Sequence, residues 1–222
     1  MNRATRTTVA TFGVLAGIAG VEHGIGEVLQ GSQAPAAVTI ESWPNTPAFD
    51  ILGGEPAMTL IPNLLVSGIL SILISLVFIV WAVWFAQRRH GGLGLIFISL
   101  VLLLVGGGFG PPLFGIILGV VATRINAPLT WWREHAPPHL RDGLAGLWPW
   151  FFGACVFAWL GMFPGTVLLA HFFGVEDANI VYVLSLCMFG LLFLTVVAGF
   201  ARDAEDRAQP DKITFKGGLA PS

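Results

Sequence analysis

The sequence predicts an all-α, polytopic transmembrane helical bundle with four full spans plus one helical hairpin broken by glycine and proline, which gives five to six membrane segments. Three observations predict this class. Hydrophobic residues make up 55% of the 222 residues and charged residues only 11%, whereas a soluble globular protein carries roughly a quarter of its residues charged. The mean hydropathy is +0.79. The third observation is a series of long uncharged stretches.

Five of these stretches reach the length of roughly 20 apolar residues that a helix needs to cross the hydrocarbon core of a bilayer. They are Thr8 to Leu29, Leu60 to Ala86, Gly91 to Thr123, Leu147 to Ala170 and Asn179 to Ala201. The lipid bilayer is therefore the first expected partner, together with further copies of the chain or other membrane subunits. Nucleic acid is excluded as a partner class, because the net charge of -2 leaves no basic footprint.

The third stretch is too long for one ordinary span. Its 33 residues from Gly91 to Thr123 would make a helix of roughly 50 Å. Near the middle stands the run Gly106-Gly107-Gly108-Phe109-Gly110-Pro111-Pro112. Glycine and proline both disfavour a helix interior, so the sequence predicts a break here, either a kink or a reversal of the chain.

The basic residues favour a reversal, because loops that face the cytoplasm carry an excess of Lys and Arg. If the chain turns back at the break and begins inside, all 11 Lys and Arg residues lie on the cytoplasmic side, whereas a single crossing leaves only four there. The prediction is a multi-pass protein of the cell membrane with cytoplasmic N- and C-termini. Seven acids then lie at or near the outer face: Glu22, Glu27, Glu41, Asp50, Glu55, Glu176 and Asp177.

This topology divides the chain into two parts. Residues 1–201 form the predicted transmembrane domain, with an outer loop at 31–57 and an inner loop at 124–146. Residues 202–222 are polar and charged, and such a segment buries too little apolar surface to fold by itself. We expect it to form a disordered cytoplasmic tail.

The first span carries a stripe of glycine. With an advance of 100° per residue, the five glycines of the stripe stay within about 60° of one another. They are Gly13, Gly17, Gly20, Gly24 and Gly31. Small residues on one face allow the backbones of membrane helices to approach closely, so this face is expected to pack against a neighbouring helix.

Two ionisable residues, His23 and Glu27, lie on the same side of the first span as the glycine stripe, while Glu22 points roughly the opposite way. An ionisable group at membrane depth is by default a hypothesis for a functional site. Three interpretations remain open. Glu27 orients His23 to bind a proton, a metal or a substrate; Glu27 lies in interfacial water and His23 bonds a carbonyl; or the pair holds helices together, with Gln30 nearby.

The predicted reversal brings further polar groups to the same outer face. The candidate ligand or proton site comprises His23, Glu27, Glu22, Glu55, Gly107 and Gly108. The candidate metal ligands are His23, Glu27 and His171. Imidazole and carboxylate are donors that suit a divalent metal ion, so a divalent metal is a possible cofactor, although the sequence does not identify one.

No catalytic motif of high specificity occurs in the chain, so the sequence leaves enzymatic activity open and favours a function without catalysis. The acidic outer face favours a small-solute or ion permease, or a channel-like subunit, because one sign of charge concentrates the opposite ion. The abundant small and aromatic residues offer packing faces for an alternative, a non-catalytic accessory or assembly subunit of a larger membrane complex. A third hypothesis is a metal- or haem-binding membrane protein, since helical bundles hold such groups between facing side chains.

Overall fold

The computed structural model of the chain describes residues 1–175 and 177–208. Their helices and strands, in chain order, are α1 (Arg3–Gln30), β1 (Thr39–Glu41), α2 (Pro47–Asp50), β2 (Pro56–Met58), α3 (Leu64–Val80, continued by a π-helical turn at Trp81–Phe85), α4 (Gly91–Leu104), α5 (Gly110–Ala122), α6 (Thr130–His135), α7 (Pro138–Leu160), α8 (Thr166–Phe173) and α9 (Ala178–Ala208). Four helical segments are long and apolar enough to cross a membrane: Arg3–Gln30, Leu64–Phe85, Pro138–Phe173 and Ala178–Arg207. The predicted helical bundle is confirmed, with four candidate spans.

The glycine stripe of α1 packs against α3, as its spacing predicts. A Cβ atom at Gly24 would lie 2.7 Å from the carbonyl oxygen of Gly68, and one at Gly17 would overlap the side chain of Ile79. Backbones therefore touch where a larger side chain would hold them apart. Gly31 has a different role from the one that its position in the stripe predicts, because it ends α1 with a φ of 83° and has open space beside it.

The chain reverses between α4 and α5. Gly92 near the start of α4 lies against Thr123 just after α5, and Ser99 in the middle of α4 lies against Gly115, so the two helices run antiparallel. They contain 14 and 13 residues, which makes each about 20 Å long. Each arm is thus shorter than the hydrocarbon core, which is about 30 Å thick.

The segment between α1 and α3 holds the tip of this hairpin in place. Strands β1 and β2 pair antiparallel, and the chain beyond β2 continues along the hairpin turn. The N–H of Gly106 donates to the carbonyl of Met58, and the N–H of Leu60 donates to the carbonyl of Leu104, both at 2.9 Å. Loop and hairpin tip therefore form one network of backbone hydrogen bonds, which satisfies groups that a glycine-rich turn leaves free.

The fourth candidate span begins earlier and ends differently than predicted. α7 starts at Pro138, inside the predicted inner loop at 124–146, and proline suits the first turn of a helix. The helix bends at Gly161–Gly165, where Phe163 has a non-helical backbone and Pro164 has no N–H to donate. After the bend, α8 packs against α2 rather than along α9.

The last helix extends beyond the predicted start of the polar tail. The carboxylate of Asp203 is buried and accepts hydrogen bonds from the N–H groups of Ala4 (2.9 Å) and Thr5 (2.8 Å) and from the Thr5 hydroxyl (2.6 Å). The first N–H groups of a helix lack partners within it and attract negative charge. Asp203 thus ties α9 to the start of α1. α9 is helical to Ala208, and the rest of the predicted tail, 209–222, lies outside the described residues.

The two ends of the bundle differ in charge. At the end where α1 starts, which we call the basic end, the N–H of Asn2 donates to Ile125 and the side chain of Asn126 donates to Gln87. All basic residues of the described ranges lie in or beside the segments at this end: Arg3, Arg6, Arg88, Arg89, Arg124, Arg133, Arg141, Arg202 and Arg207. The opposite end, the loop end, carries β1, β2, α2, the hairpin turn and α8. The predicted segregation of charge is thus reproduced among these residues.

Candidate functional site

The imidazole of His23 lies at the loop end of α1, where oxygen atoms face both of its nitrogens. Nδ1 lies 2.9 Å from the carbonyl oxygen of Ala19 and 3.1 Å from a carboxylate oxygen of Glu22. Nε2 lies 3.0 Å from a carboxylate oxygen of Glu55. The side chain of His23 is only 5% exposed, so water does not separate these groups. The arrangement suits a positively charged species at the ring.

Glu55 reaches His23 from the loop rather than from a helix. It stands directly before β2, at the end of a turn in which Gly53, Gly54 and Glu55 all have positive φ angles (62°, 70° and 55°). Glycine adopts this region freely, and a residue with a side chain does so at some cost. Hydrogen bonds hold the turn on both sides, since Ser42 and Trp43 donate their N–H groups to the carbonyls of Glu55 and Gly54. The loop therefore fixes the Glu55 carboxylate over α1.

The glycines of the hairpin turn close the site from another side. A Cβ atom at Gly108, whose φ is 76°, would lie 2.7 Å from Cδ2 and 2.8 Å from Cε1 of the His23 ring. A Cβ atom at Gly106, with φ of 96°, would overlap the carboxylate of Glu27. Gly107 does not face the site, because a Cβ atom at this position would meet the side chain of Leu102. Of the two predicted turn residues, Gly108 thus contacts the site through its backbone and Gly107 does not.

A pocket of about 240 Å³ opens beside this cluster. The volume is enough for about eight water molecules, or for a hydrated ion. Its polar wall consists of Glu22, His23 and Glu55, and its remaining wall is largely apolar. The apolar side chains come from the hairpin tip, from α7 and from α9, and include Phe109, Phe114, Trp159 and Met188. The apolar lining keeps the cluster partly screened from bulk water.

The three polar residues could hold a metal ion together. Glu22, His23 and Glu55 each offer one ligand atom, and these atoms lie within 4.8 Å of one another. One imidazole nitrogen and two carboxylate oxygens are a donor set that zinc and other divalent transition metals accept. The side chains are 12%, 5% and 16% exposed, so the pocket side of the cluster remains open to water or to an entering ion.

The structure does not bring His23, Glu27 and His171 together as the sequence predicts. Glu27 lies one turn further along α1 and faces the Gly106 turn, fully buried. The residue that joins His23 is Glu22, which helical spacing placed on the opposite side. The loop covers this end of α1 from several directions, and the three torsions of a glutamate side chain allow it to reach round the helix.

His171 is an exposed residue of α8. Its ring packs edge-on against the neighbouring Phe172, with 4.8 Å between the ring centroids, and it is not part of the pocket wall. The cause is the break at Phe163 and Pro164, since α8 turns toward α2 instead of continuing along α9. The bend therefore keeps His171 apart from His23, and the predicted metal ligation by His171 depended on their meeting.

Sequence reasoning also missed the apolar walls of the pocket. Trp159 on α7 and Met188 on α9 line it, but an apolar residue in a membrane helix has the same sequence signal whether it faces lipid or a pocket.

Comparisons of the chain with protein families, with curated proteins and with solved structures find no match. The geometry of the site is therefore what carries a functional conclusion.

Proposed function

We propose that this protein is an integral membrane protein that binds a divalent transition-metal ion through Glu22, His23 and Glu55. One observation carries the proposal. Both ring nitrogens of His23 face oxygen acceptors: Nδ1 lies 2.9 Å from the carbonyl oxygen of Ala19 and 3.1 Å from Glu22, and Nε2 lies 3.0 Å from the Glu55 carboxylate. A positive species stabilises this arrangement. It is either a second proton on the ring or a metal ion that takes the place of the proton on Nε2.

A metal ion meets this requirement with small movements. Zinc lies about 2.0–2.2 Å from its nitrogen and oxygen ligands, which puts tetrahedral ligand atoms roughly 3.4 Å apart. The distance of 3.0 Å between Nε2 and Glu55 has to open by only a few tenths of an ångström. Ligating histidines usually donate their other ring N–H to a carbonyl or a carboxylate, and the carbonyl of Ala19 supplies this acceptor for His23.

The test is a zinc titration of the full chain, purified in detergent, treated with a chelator and followed by calorimetry. We expect one zinc ion per chain. His23→Ala and Glu55→Gln should each weaken binding by at least about 10- to 100-fold, the loss that removal of even an outer partner of a metal ligand causes.

His171→Ala is the matched control, because His171 is an exposed histidine at the same end of the bundle. This variant should bind zinc as the wild type does. Equal zinc binding by the wild type and His23→Ala, or no binding by either, would contradict the proposal.

The distribution of charge supports an orientation for the bound ion. The basic end carries the arginines of the described ranges, and cytoplasmic loops are the ones enriched in basic residues. We propose that the basic end faces the cytoplasm, so that the pocket with Glu22, His23 and Glu55 faces outward. In this orientation α1 starts and α9 ends on the inner side, and the hairpin of α4 and α5 adds one or two membrane segments to the four long spans.

Transport of the ion is a second candidate function, favoured by the broken hairpin. Transporters often build their sites where discontinuous helices meet, and the tip of the α4–α5 hairpin forms one wall of the pocket. Proteoliposomes with an enclosed zinc-sensitive dye test this function. A permease should admit zinc in a manner that His23→Ala abolishes and His171→Ala preserves. Tight binding without uptake would refute transport and leave the metal-binding proposal intact.

The alternative of an accessory subunit gains no specific support from the bundle surface. α9 exposes a row of large apolar side chains: Tyr182, Val183, Leu186 and Phe193. Lipid chains solvate such a surface in a membrane, where apolar residues face outward as readily as inward. The exposed face of α9 therefore requires the bilayer, and it does not require a protein partner.

A further inference from the structure

A second polar group in α1, the carboxyl of Glu27, has no role in the metal pocket. Its side chain is 0% exposed, and neither carboxyl oxygen has a hydrogen-bond partner among the described residues. An ionised carboxylate in such a place would lose its hydration without any compensating bond, which is among the most unfavourable arrangements in a folded protein.

The hydroxyl groups near Glu27 are committed to other acceptors. Ser67 on α3 faces Glu27, but its hydroxyl also lies 3.0 Å from the carbonyl oxygen of Val105 and 2.6 Å from the hydroxyl of Thr59. The oxygen of Thr59 in turn accepts the N–H of Ile61 at 3.1 Å. When Ser67 donates to Val105 and Thr59 donates to Ser67, neither hydroxyl proton is left for Glu27.

No Lys or Arg among the described residues lies beside Glu27 either. The sequence of α3 contains no charged residue, and neither does the hairpin turn that covers Glu27 through Gly106. The nearest titratable group is His23, one helical turn away, and its ring is paired with Glu22 and Glu55. These two acids add negative charge, which further disfavours a second anion nearby.

From this geometry we infer that Glu27 is a proton-binding site, in which the carboxyl is held as the neutral acid beneath the Gly106 turn. The ligand is a single proton, and the site is separate from the metal pocket because Glu27 does not line that pocket. A neutral acid fits these surroundings better than an anion does, since it removes the charge that they cannot stabilise. The inference goes beyond metal binding and does not depend on it.

Infrared spectroscopy of the metal-free, full-length protein in lipid at neutral pH tests the inference. A protonated carboxyl has a carbonyl stretch at higher frequency than either stretch of a carboxylate. We expect this band in the wild type, a shift of the band in heavy water, and the loss of one carboxyl's intensity in Glu27→Gln. Glu41→Gln, which changes an exposed acid of β1, is the control and should leave the band unchanged.

Two outcomes would overturn the inference. The first is a difference spectrum between wild type and Glu27→Gln that contains only carboxylate stretches. The second is a carboxylate signal of Glu27 that responds to sodium chloride, which would identify a metal cation in place of the proton. If Glu27→Gln fails to fold, Glu27→Asp serves instead, because a shorter acid at this position should shift the carbonyl band without removing it.

Discussion

Gly108→Ala is expected to weaken zinc binding at the Glu22, His23 and Glu55 site by at least about tenfold, comparable to the loss of an outer partner of a metal ligand. The new methyl group would overlap the imidazole of His23, since even the ring carbons lie within 2.8 Å of the Cβ position. The ring cannot easily move away, because both of its nitrogens are held by oxygen atoms. The positive φ of Gly108 adds strain of about 1–3 kcal/mol for a residue with a side chain.

Zinc titration and thermal unfolding of Gly108→Ala would measure these two effects. Gly110→Ala is the matched control, because it changes the next glycine of the same run, which has no atoms within 4 Å of its Cβ position and lies at the start of α5. The control should bind zinc as the wild type does. If Gly108→Ala and Gly110→Ala behave alike, the hairpin turn does not pack on His23 in the way described.

Gly68→Ala should destabilise the fold by about 1–3 kcal/mol, as other cases of overpacking do. The Cβ position at Gly68 lies 2.7 Å from the backbone nitrogen of Val28 and also overlaps the carbonyl of Gly24. Backbone atoms cannot rotate away as a side chain can, so α1 and α3 would have to separate. Thermal unfolding in detergent, compared with the wild type, measures the loss.

The control for Gly68→Ala is Gly190→Ala in α9. It adds the same methyl group to another apolar helix, but nothing lies within 4 Å of its Cβ position. Alanine is the better helix former by up to about 1 kcal/mol, so Gly190→Ala should be as stable as the wild type or slightly more stable. Equal stability of the Gly68 and Gly190 variants would refute the close contact of α1 with α3.

Two features of the fold follow directly from residue types that have few structural options. The run from Gly106 to Pro112 disfavours a helix through backbone entropy and missing donors, and the chain reverses there. The glycine spacing in α1 identifies the face that packs on α3, because only glycine permits backbones to touch at Gly24 and Gly68. Both are local properties of the sequence, which is why they could be predicted.

The candidate site was only partly predictable, because its residues meet through irregular segments. His23 could be identified as an ionisable group at membrane depth, but its partner Glu55 depends on a turn of three residues with positive φ. Helical periodicity gives the direction of a Cα–Cβ bond and not the path of a long side chain, so it misplaced Glu22. The bend at Phe163 removed His171 from the site, and a proline does not reveal from sequence how far a helix will turn.

X-ray absorption spectroscopy of the zinc-loaded protein tests the metal site most directly. We expect nitrogen and oxygen ligands at about 2.0–2.2 Å from the metal, with imidazole scattering that is present in the wild type and in His171→Ala and absent in His23→Ala. Imidazole scattering that persists in His23→Ala, or that disappears in His171→Ala, would show that the ion binds elsewhere and would contradict the assignment of Glu22, His23 and Glu55 as its ligands.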